Sequence, residues 1–198
     1  MAFQFMPGAT AIGLTYQDGI VLAADKRISY GNFVVNKNTR KIFSITDQIA
    51  SACAGMVADM QVLTRQVGAL AKIRKLETRR EMATNSAAKL MSVIMFERRY
   101  FPLLTQVIVG GVHIVPEIYT LDPLGSLLPD NYAAVGTGAE LALGLIDSEY
   151  NKNMTEDASK KLAIKAIKSS VQRDSASGDG IDILAITNKG TKEESINL

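Results

Sequence analysis

An acid and two bases end the second apolar stretch of this chain. The segment Ala9–Tyr16 carries no charged residue, and after a Gln-Asp-Gly turn a second apolar segment runs into Asp25, Lys26 and Arg27. Charged residues at the inner end of an apolar strand have two common explanations, which are a structural ion pair and an active site built around the beginning of the chain. These residues alone leave both explanations open.

Two further stretches offer an amine and an amide. Lys41 opens the apolar stretch "KIF", where a lysine commonly extends its ammonium to solvent. The alternative is a partly desolvated amine with a lowered pKa, able to take a proton from a hydroxyl nucleophile. Gly55, in "ACAGMVAD", lies between an apolar strand pattern and a helix pattern. It either permits a turn or presents an amide that stabilises an oxyanion.

The segment "QRDSASGDGID", residues 172–182, crowds charges and small hydroxyls into a turn between a helix pattern and an apolar strand. The simplest interpretation is a helix C-cap, in which serine and glycine satisfy the last carbonyls of the helix. The alternative is a catalytic turn.

Composition limits the chemistry that these residues could perform. With 198 residues, 47% of them hydrophobic, the chain is long enough for one domain with a substantial core. Its 22 basic and 20 acidic residues are nearly balanced, so we expect no nucleic-acid partner. A single cysteine, Cys53, excludes an internal disulfide, and together with a single histidine, His113, it makes a zinc site or a histidine-based triad implausible. We therefore expect chemistry based on hydroxyls, amines and carboxylates, without a cofactor or metal.

The sequence also predicts where the protein resides. Residues 1–8 lack the basic region and the apolar core of a signal peptide, and no run of about eighteen apolar residues occurs. We expect a cytoplasmic protein that does not enter a membrane.

Hydrophobic periodicity predicts an α+β fold. Strands are predicted at Ala9–Tyr16, Ile20–Lys26, Phe33–Asn36, Lys41–Ile45, Ile49–Cys53, 106–112, 117–122, 132–136 and Ile181–Thr187. Helices are predicted at Met56–Leu76, from a cap at Asn85 or Ser86 to Phe96, at Ala139–Tyr150, and from Glu156 to about Arg173 with Thr155 as the cap. Residues 188–198 are predicted to form a polar tail. This order favours two mainly antiparallel sheets between helical layers, a four-layer αββα sandwich.

In their order and spacing, several of these stretches resemble the beta-type subunits of the 20S proteasome core particle, members of the N-terminal-nucleophile hydrolases. The pieces that carry the resemblance are "ATAIGLTYQDGIVLAADKR", "KIF", "ACAGMVADMQ", "VIVGG", "VGTGAE" and "QRDSASGDGIDILAIT". The resemblance extends from Gly8 to Lys189. It implies the same four-layer sandwich, one domain over residues 9–198 and a propeptide-like segment over residues 1–8.

The resemblance also implies a mechanism. In active family members a threonine becomes the first residue when the preceding Gly-Thr bond cleaves itself, and its hydroxyl attacks the peptide carbonyl. The resemblance implies that Lys41 is the lysine that assists deprotonation, that Asp25 is its carboxylate partner and that Gly55 is the oxyanion donor. It also implies that Asp174 and Ser177 are the pair that positions the terminal amine. Thr137 stands where the family often has serine.

The chain departs from the family at the nucleophile. Active members read Gly-Thr-Thr-Thr, whereas this chain reads Gly8-Ala9-Thr10-Ala11, so Ala9 takes the place of the reacting threonine. A methyl group can neither attack a carbonyl nor cut the preceding bond, so we expect residues 1–8 to stay attached. Thr10 is a poor substitute, because alternation along a strand points it to the opposite face.

Two explanations of Ala9 follow: a natural non-catalytic ring subunit or a laboratory threonine-to-alanine exchange. Ala11 favours the first, because a designed knockout would change one residue only. The expected partners are other beta subunits of the same and the facing ring, alpha subunits and unfolded polypeptides. The function is then either that of a subunit in a threonine-type endopeptidase or a purely structural one in assembly.

A structural role is suggested by the first predicted helix, which has two apolar faces. One face carries Met60, Leu63, Val67 and Leu70, and the other carries Val62, Ala69, Ile73 and Leu76. The second face is either covered by the next helix, over Ala87–Met95, or free to contact a subunit of a neighbouring ring.

Overall fold

The computed structural model describes residues 7–198. Within them the strands are β1 Thr10–Tyr16, β2 Gly19–Asp25, β3 Ile28–Tyr30, β4 Phe33–Asn36, β5 Ile42–Thr46, β6 Ile49–Gly55, β7 Thr105–Val112, β8 Pro116–Leu121, β9 Leu128–Asp130, β10 Tyr132–Gly136, β11 Gly180–Thr187 and β12 Gly190–Asn197. The helices are α1 Val57–Thr78, α2 Thr84–Glu97, α3 Ala139–Glu149 and α4 Glu156–Val171.

Most of the strands form two antiparallel sheets. The first sheet has the order β10-β1-β2-β11-β12, and the second has the order β5-β6-β7-β8-β9. β3 and β4 pair as a separate hairpin. Helices α3 and α4 pack on the first sheet, and α1 and α2 pack on the second. The predicted α+β fold, a four-layer αββα sandwich, is therefore confirmed.

The central strands are buried on both faces because each face contacts a different core. Ala11 of β1 and Leu22 of β2 lie between the sheets, together with Ile108 of the second sheet. Ile12 and Leu14 of β1 lie in the core beneath α3 and α4. Since successive side chains of a strand point to opposite faces, β1 needs apolar residues on both of its faces. This requirement explains the run of mostly apolar, uncharged residues near the start of the sequence.

The segment after Thr187 is a strand, and the prediction of a polar tail is wrong. β12 pairs with β11 along its whole length, and nearly all of its residues are exposed. An edge strand of this kind buries no face, so it lacks the apolar alternation that identifies a strand in a sequence. The short strands β3 and β9, with three residues each, were not predicted for a related reason, since each contributes little to a core.

The start of α2 also differs from its prediction. The helix begins at Thr84 after Ala83, whose side chain makes no capping hydrogen bond, so the predicted caps Asn85 and Ser86 are wrong. Thr84 is fully buried beside Gly111, and this packing fixes the first turn of α2. The predicted cap of α4 is confirmed, because Thr155 Oγ1 accepts a hydrogen bond from the backbone N–H of Ala158 at 3.3 Å.

The second apolar face of α1 is not covered by α2. Val62, Ile73 and Leu76 are 46%, 50% and 62% exposed, whereas Leu63 and Val67 are fully buried. Of the two alternatives left open by the sequence, coverage of this face by the following helix is therefore wrong. No helix within residues 7–198 is long and apolar enough to cross a membrane. The exposed residues Val62, Ile73 and Leu76 lie on the outer surface of the sandwich.

The core between the sheets should dominate stability. Replacing Leu22, which is fully buried, by alanine removes apolar contacts from both sheets. We expect the free energy of unfolding to fall by about 3 kcal/mol. Urea denaturation measures this loss. The matched control is Leu128→Ala on the exposed strand β9, where the residue is 60% exposed, and a comparable loss there would contradict the assignment of the core.

Candidate active site

A buried ion pair joins the two sheets. The Lys41 ammonium donates a hydrogen bond of 2.6 Å to Asp25 Oδ1, and both side chains are completely buried. Asp25 ends β2 of the first sheet, whereas the Lys41 carbonyl accepts a hydrogen bond from the Cys53 amide in the second sheet. Lys41 therefore does not extend to solvent, and of the two interpretations of its sequence context only the desolvated amine fits the structure.

The carboxylate of Asp25 is held by backbone amides as well as by Lys41. Its Oδ1 also accepts a hydrogen bond from the Thr10 amide at 2.9 Å, and its Oδ2 accepts from the amides of Arg27 at 3.0 Å and Gly178 at 2.9 Å. The pair thus connects the start of β1, the end of β2, the turn before β11 and the start of β5.

Burial moves the pKa values of the two partners toward each other. Desolvation raises the pKa of the Asp25 carboxyl, while Lys41 and the amides of Thr10 and Gly178 oppose that rise. Desolvation likewise lowers the pKa of the Lys41 ammonium, and the charge of Asp25 opposes this change. A lysine with a lowered pKa exchanges protons more readily near neutral pH, as a group that activates a hydroxyl must do.

A second series of hydrogen bonds lies beside the ion pair. The Ala9 amide donates to Thr137 Oγ1 at 3.2 Å, and Thr137 Oγ1 donates to Asp174 Oδ2 at 2.6 Å. Ser177 Oγ donates to the same Asp174 oxygen at 2.7 Å. Thr10 Oγ1 lies 2.7 Å from Ser177 Oγ and must be the donor there, because the Ser177 proton points to Asp174.

The hydrogen bonds of the ion pair and this second series meet at the backbone of Ala9 and Thr10. The structure therefore brings together all the residues predicted for the site except Gly55, namely Ala9, Thr10, Asp25, Lys41, Thr137, Asp174 and Ser177. Ala9 packs in the core between the sheets, on the face opposite to the Thr10 hydroxyl, which points toward Gly138 beneath the helices.

Gly55 lies at the end of β6, outside this hydrogen-bonded network within the described residues. Its φ of +134° is open to glycine only, and an added Cβ would lie 2.3 Å from the Leu104 carbonyl oxygen. These facts explain the glycine by close packing at a turn. The neighbouring Ala54 side chain packs against Gly136, which adjoins the Ala9 carbonyl.

The segment before Ala9 is packed into the site. Pro7, Gly8 and Ala9 are buried, and a Cβ on Gly8 would lie 2.1 Å from the Ala176 side chain. Only glycine therefore fits between Ala176 and Thr137 without moving them. Of the predicted propeptide-like segment, residues 1–6 lie outside the described residues.

The turn at residues 172–182 combines both interpretations of its sequence. The Asp174 amide donates to the Ser170 carbonyl at 2.7 Å and so completes the end of α4, as a C-cap does. Its carboxylate, however, joins Thr137 and Ser177 in the network. The main chain of Asp174 thus caps the helix, and its side chain forms part of the site.

Sequence reasoning did not assign Lys26 or Arg27. Arg27 forms an ion pair with Asp179, and Lys26 forms one of 3.6 Å with Asp182. The three side chains of the "DKR" motif therefore pair with three different residues: Asp25 with Lys41, Lys26 with Asp182 and Arg27 with Asp179. The acid that directly follows "SG" at 177–178, Asp179, was the only sequence signal for the Arg27 partner.

Cys53 and His113 take no part in the network. Cys53 is fully buried in the core beneath α1 and α2, where burial raises the pKa of its thiol to about 12. His113 is an exposed residue just beyond β7. Within residues 7–198 no group of three or more histidine, cysteine or acidic residues is arranged to hold a metal ion.

Comparisons with known proteins identify the family to which this fold belongs. Residues 6–186 match the family model described as "Proteasome subunit". The chain is 59% identical to "Proteasome subunit beta 1" of Nitrosopumilus maritimus over 96% of both chains. It is 60% identical to "Proteasome subunit beta 1" of Cenarchaeum symbiosum over 95% of this chain and 97% of the relative, and 49% identical to "Proteasome subunit beta 2" of Pyrobaculum arsenaticum over 96% and 95%.

The chain belongs to the proteasome subunit family. Within that family it is a beta-type subunit similar to those of archaea. Membership implies assembly with other proteasome subunits. The family's beta subunits generally form a protease.

The ion pair makes a pH-dependent contribution that substitution should reveal. Lys41→Met leaves the buried Asp25 without its cation, and we expect a loss of about 3 to 5 kcal/mol in the free energy of unfolding near neutral pH. Without Lys41 the pKa of Asp25 rises further. Because a raised carboxyl pKa costs stability above the unfolded-state value of about 3.9, the deficit should grow as the pH rises from there and shrink in acid.

Urea denaturation near pH 5 and near pH 8 measures this dependence. The matched control is Lys26→Met, which breaks the more exposed 3.6 Å pair with Asp182. An equal deficit in the two lysine variants, or a Lys41→Met deficit that is independent of pH, would contradict the assignment.

Proposed function

We propose that this chain is a non-catalytic beta subunit of a threonine-type proteolytic chamber, assembled with alpha subunits and sister beta subunits and exposed to unfolded polypeptides. The observation that carries the proposal is Ala9. Its backbone is held by the network of Thr137, Asp174 and Ser177, one residue from the Asp25 and Lys41 pair, but its side chain is a methyl group. The site has the amine and acids for hydrolysis and lacks the hydroxyl that would attack.

Two features support the view that no other hydroxyl replaces it. Thr10 is 0% exposed, and its proton is committed to Ser177. Thr137 and Ser177 both donate to Asp174. Each nearby hydroxyl is therefore engaged in the network that holds the backbone at position 9. Thr10 and Ser177 are also fully buried, so neither presents its hydroxyl to a substrate as a nucleophile must. Thr137 is exposed, and its proton is donated to Asp174.

The packing before Ala9 supports retention of the N-terminal segment. Gly8 fits closely between Ala176 and Thr137, and the Ala9 nitrogen is an amide that donates to Thr137. An amide has no basic lone pair, so it cannot act as the terminal amine does in active relatives. We infer that the segment stays attached, because a methyl group cannot attack the preceding bond.

Restoring the hydroxyl tests the proposal. Ala9→Thr adds an oxygen to the site, and Ala9→Val adds the same shape without the oxygen. In assembled particles we expect Ala9→Thr to lose residues 1–8, to hydrolyse a fluorogenic peptide and to form a covalent adduct with an epoxyketone. The original chain and Ala9→Val should do none of these. Adding Lys41→Ala to Ala9→Thr should lower hydrolysis by about 100-fold or more.

Intact mass spectrometry and peptide hydrolysis give the readouts. An epoxyketone adduct or appreciable hydrolysis in the original chain would overturn the proposal, as would an Ala9→Thr particle that assembles and remains inert. A mature original chain that begins at Ala9 would instead show cleavage by an active neighbour and would contradict retention of the segment.

The exposed face of α1 favours a second, structural function. Val62, Ala69, Ile73 and Leu76 recur at intervals of seven, four and three residues, on the side of the helix away from its buried residues. Exposed apolar stripes of this kind mark interaction surfaces. We propose that this stripe, hereafter the α1 stripe, contacts a subunit of a neighbouring ring, since membership of the family implies assembly with such subunits.

Charging the α1 stripe tests this contact. In the double variant Val62→Glu with Ile73→Glu we expect particles to separate into smaller assemblies, because burying unpaired carboxylates at an interface is costly. Native mass spectrometry of the particle measures the change. Lys72→Gln together with Arg65→Gln changes the net charge equally on exposed positions beside the α1 stripe and serves as the control. Particles that stay intact with both glutamates present would refute the contact.

A further inference from the structure

We propose that Arg27 and Asp179 are positioning residues for the candidate active site. Their ion pair holds the turn of residues 174–179 against Asp25, and that turn carries Asp174, Ser177 and the Gly178 amide. The inference deepens the proposed function and rests on it for its kinetic test. Neither side chain belongs to the hydrogen-bonded network of Ala9, Thr137, Asp174 and Ser177.

The contact between Arg27 and the turn has the geometry of a two-point clamp. Arg27 Nε donates to Asp179 Oδ2 at 2.7 Å, and Nη2 donates to Asp179 Oδ1 at 3.2 Å, which is a bidentate pair. The remaining nitrogen, Nη1, donates to the Ser175 carbonyl at 2.9 Å. One guanidinium therefore fixes both ends of the turn. A lysine could not do so, since its ammonium lacks the planar fork.

The backbone of the turn requires such a clamp. Asp179 has a φ of +67°, in the left-handed region that non-glycine residues seldom adopt. A Cβ on Gly178 would lie 2.6 Å from the Arg27 guanidinium, so the side chain passes directly over this glycine. The unfavourable conformation of Asp179 persists because its carboxylate is held on both oxygens.

Arg27 acts on Asp25 from two sides. Its own amide donates to Asp25 Oδ2 at 3.0 Å, and its side chain fixes the turn whose Gly178 amide donates to the same oxygen at 2.9 Å. Without the clamp the turn is free to move away, and the contacts of Asp174 and Ser177 move with it. A shift of this kind displaces the acids on both sides of position 9.

The Arg27 and Asp179 pair is less exposed than the Arg40 and Glu193 pair. The Arg27 and Asp179 side chains are 24% and 17% exposed, whereas the partners in the Arg40 and Glu193 pair are each 55% exposed. Arg40 contacts the Ile42 carbonyl and Glu193, neither of which touches the network. The Arg40 pair is therefore a suitable control for loss of an arginine ion pair without loss of position.

The first test does not depend on catalysis. In the otherwise unchanged assembled chain, hydrogen exchange of the 174–180 segment should become about tenfold faster or more in Arg27→Gln and in Asp179→Asn. Arg27→Lys should resemble Arg27→Gln because it keeps the charge and loses the fork. Arg40→Gln should leave the segment unchanged. Unaltered exchange in both clamp variants overturns the proposal, and Asp179→Asn, which preserves size, decides the matter should Arg27→Gln fail to fold.

The second test uses the Ala9→Thr particle. There Arg27→Gln should lower kcat for a fluorogenic peptide by about tenfold or more with KM little changed, since the acids are displaced and the substrate surface is not. Arg40→Gln should change neither constant. A changed KM with an unchanged kcat refutes a positioning role. If Ala9→Thr alone is inert, the proposed function fails, while the exchange measurement still decides the role of Arg27.

Discussion

The carboxylate of Asp25 is the constraint around which the site end of this sandwich is arranged. It is fully buried, and it accepts hydrogen bonds from Lys41 and from the amides of Thr10, Arg27 and Gly178. A buried carboxylate is tolerable only when it is paired and its oxygens are satisfied. The donors belong to four separate parts of the chain. Folding must therefore bring these parts together, and the same convergence creates the candidate active site.

This constraint explains how the arrangement around Asp25 and Lys41 can persist when position 9 carries only a methyl group. Removing either partner of a buried pair leaves an uncompensated charge, so Asp25 and Lys41 support one another irrespective of chemistry. Position 9 makes no such demand, because its contribution to the network is a backbone amide, and alanine supplies that as well as threonine. The methyl group of Ala9 fits the core between the sheets. The hydroxyl can be lost without structural penalty, whereas the lysine cannot.

The network around Ala9 and the α1 stripe lie in different layers of the sandwich. The network around Ala9 includes the turn at residues 174–179, whereas the α1 stripe lies on the outer face of the layer that covers the second sheet. A subunit can therefore lose one function and keep the other, because no residue of the network belongs to the α1 stripe. An assembly role and a silent active site are compatible in one fold.

The sequence by itself determined the order of most elements and the four-layer architecture, which follow from local periodicity. The residues expected around position 9 came from the resemblance of motifs such as "QRDSASGDGID" to those of proteasome beta subunits. The sequence did not reveal β12, because an exposed edge strand carries no apolar alternation, nor the start of α2, which is fixed by the packing of Thr84 against Gly111.

The tertiary structure alone decided between the paired interpretations. Lys41 could have extended to solvent, and only the approach of the two sheets shows it desolvated against Asp25. The second face of α1 could have been covered by α2, and only the packing of the helices leaves it exposed. The Arg27 side chain pairs with Asp179, a residue about 150 positions away along the chain. Contacts across such separations depend on where the sheets and turns meet in space, and local sequence patterns carry no record of that meeting.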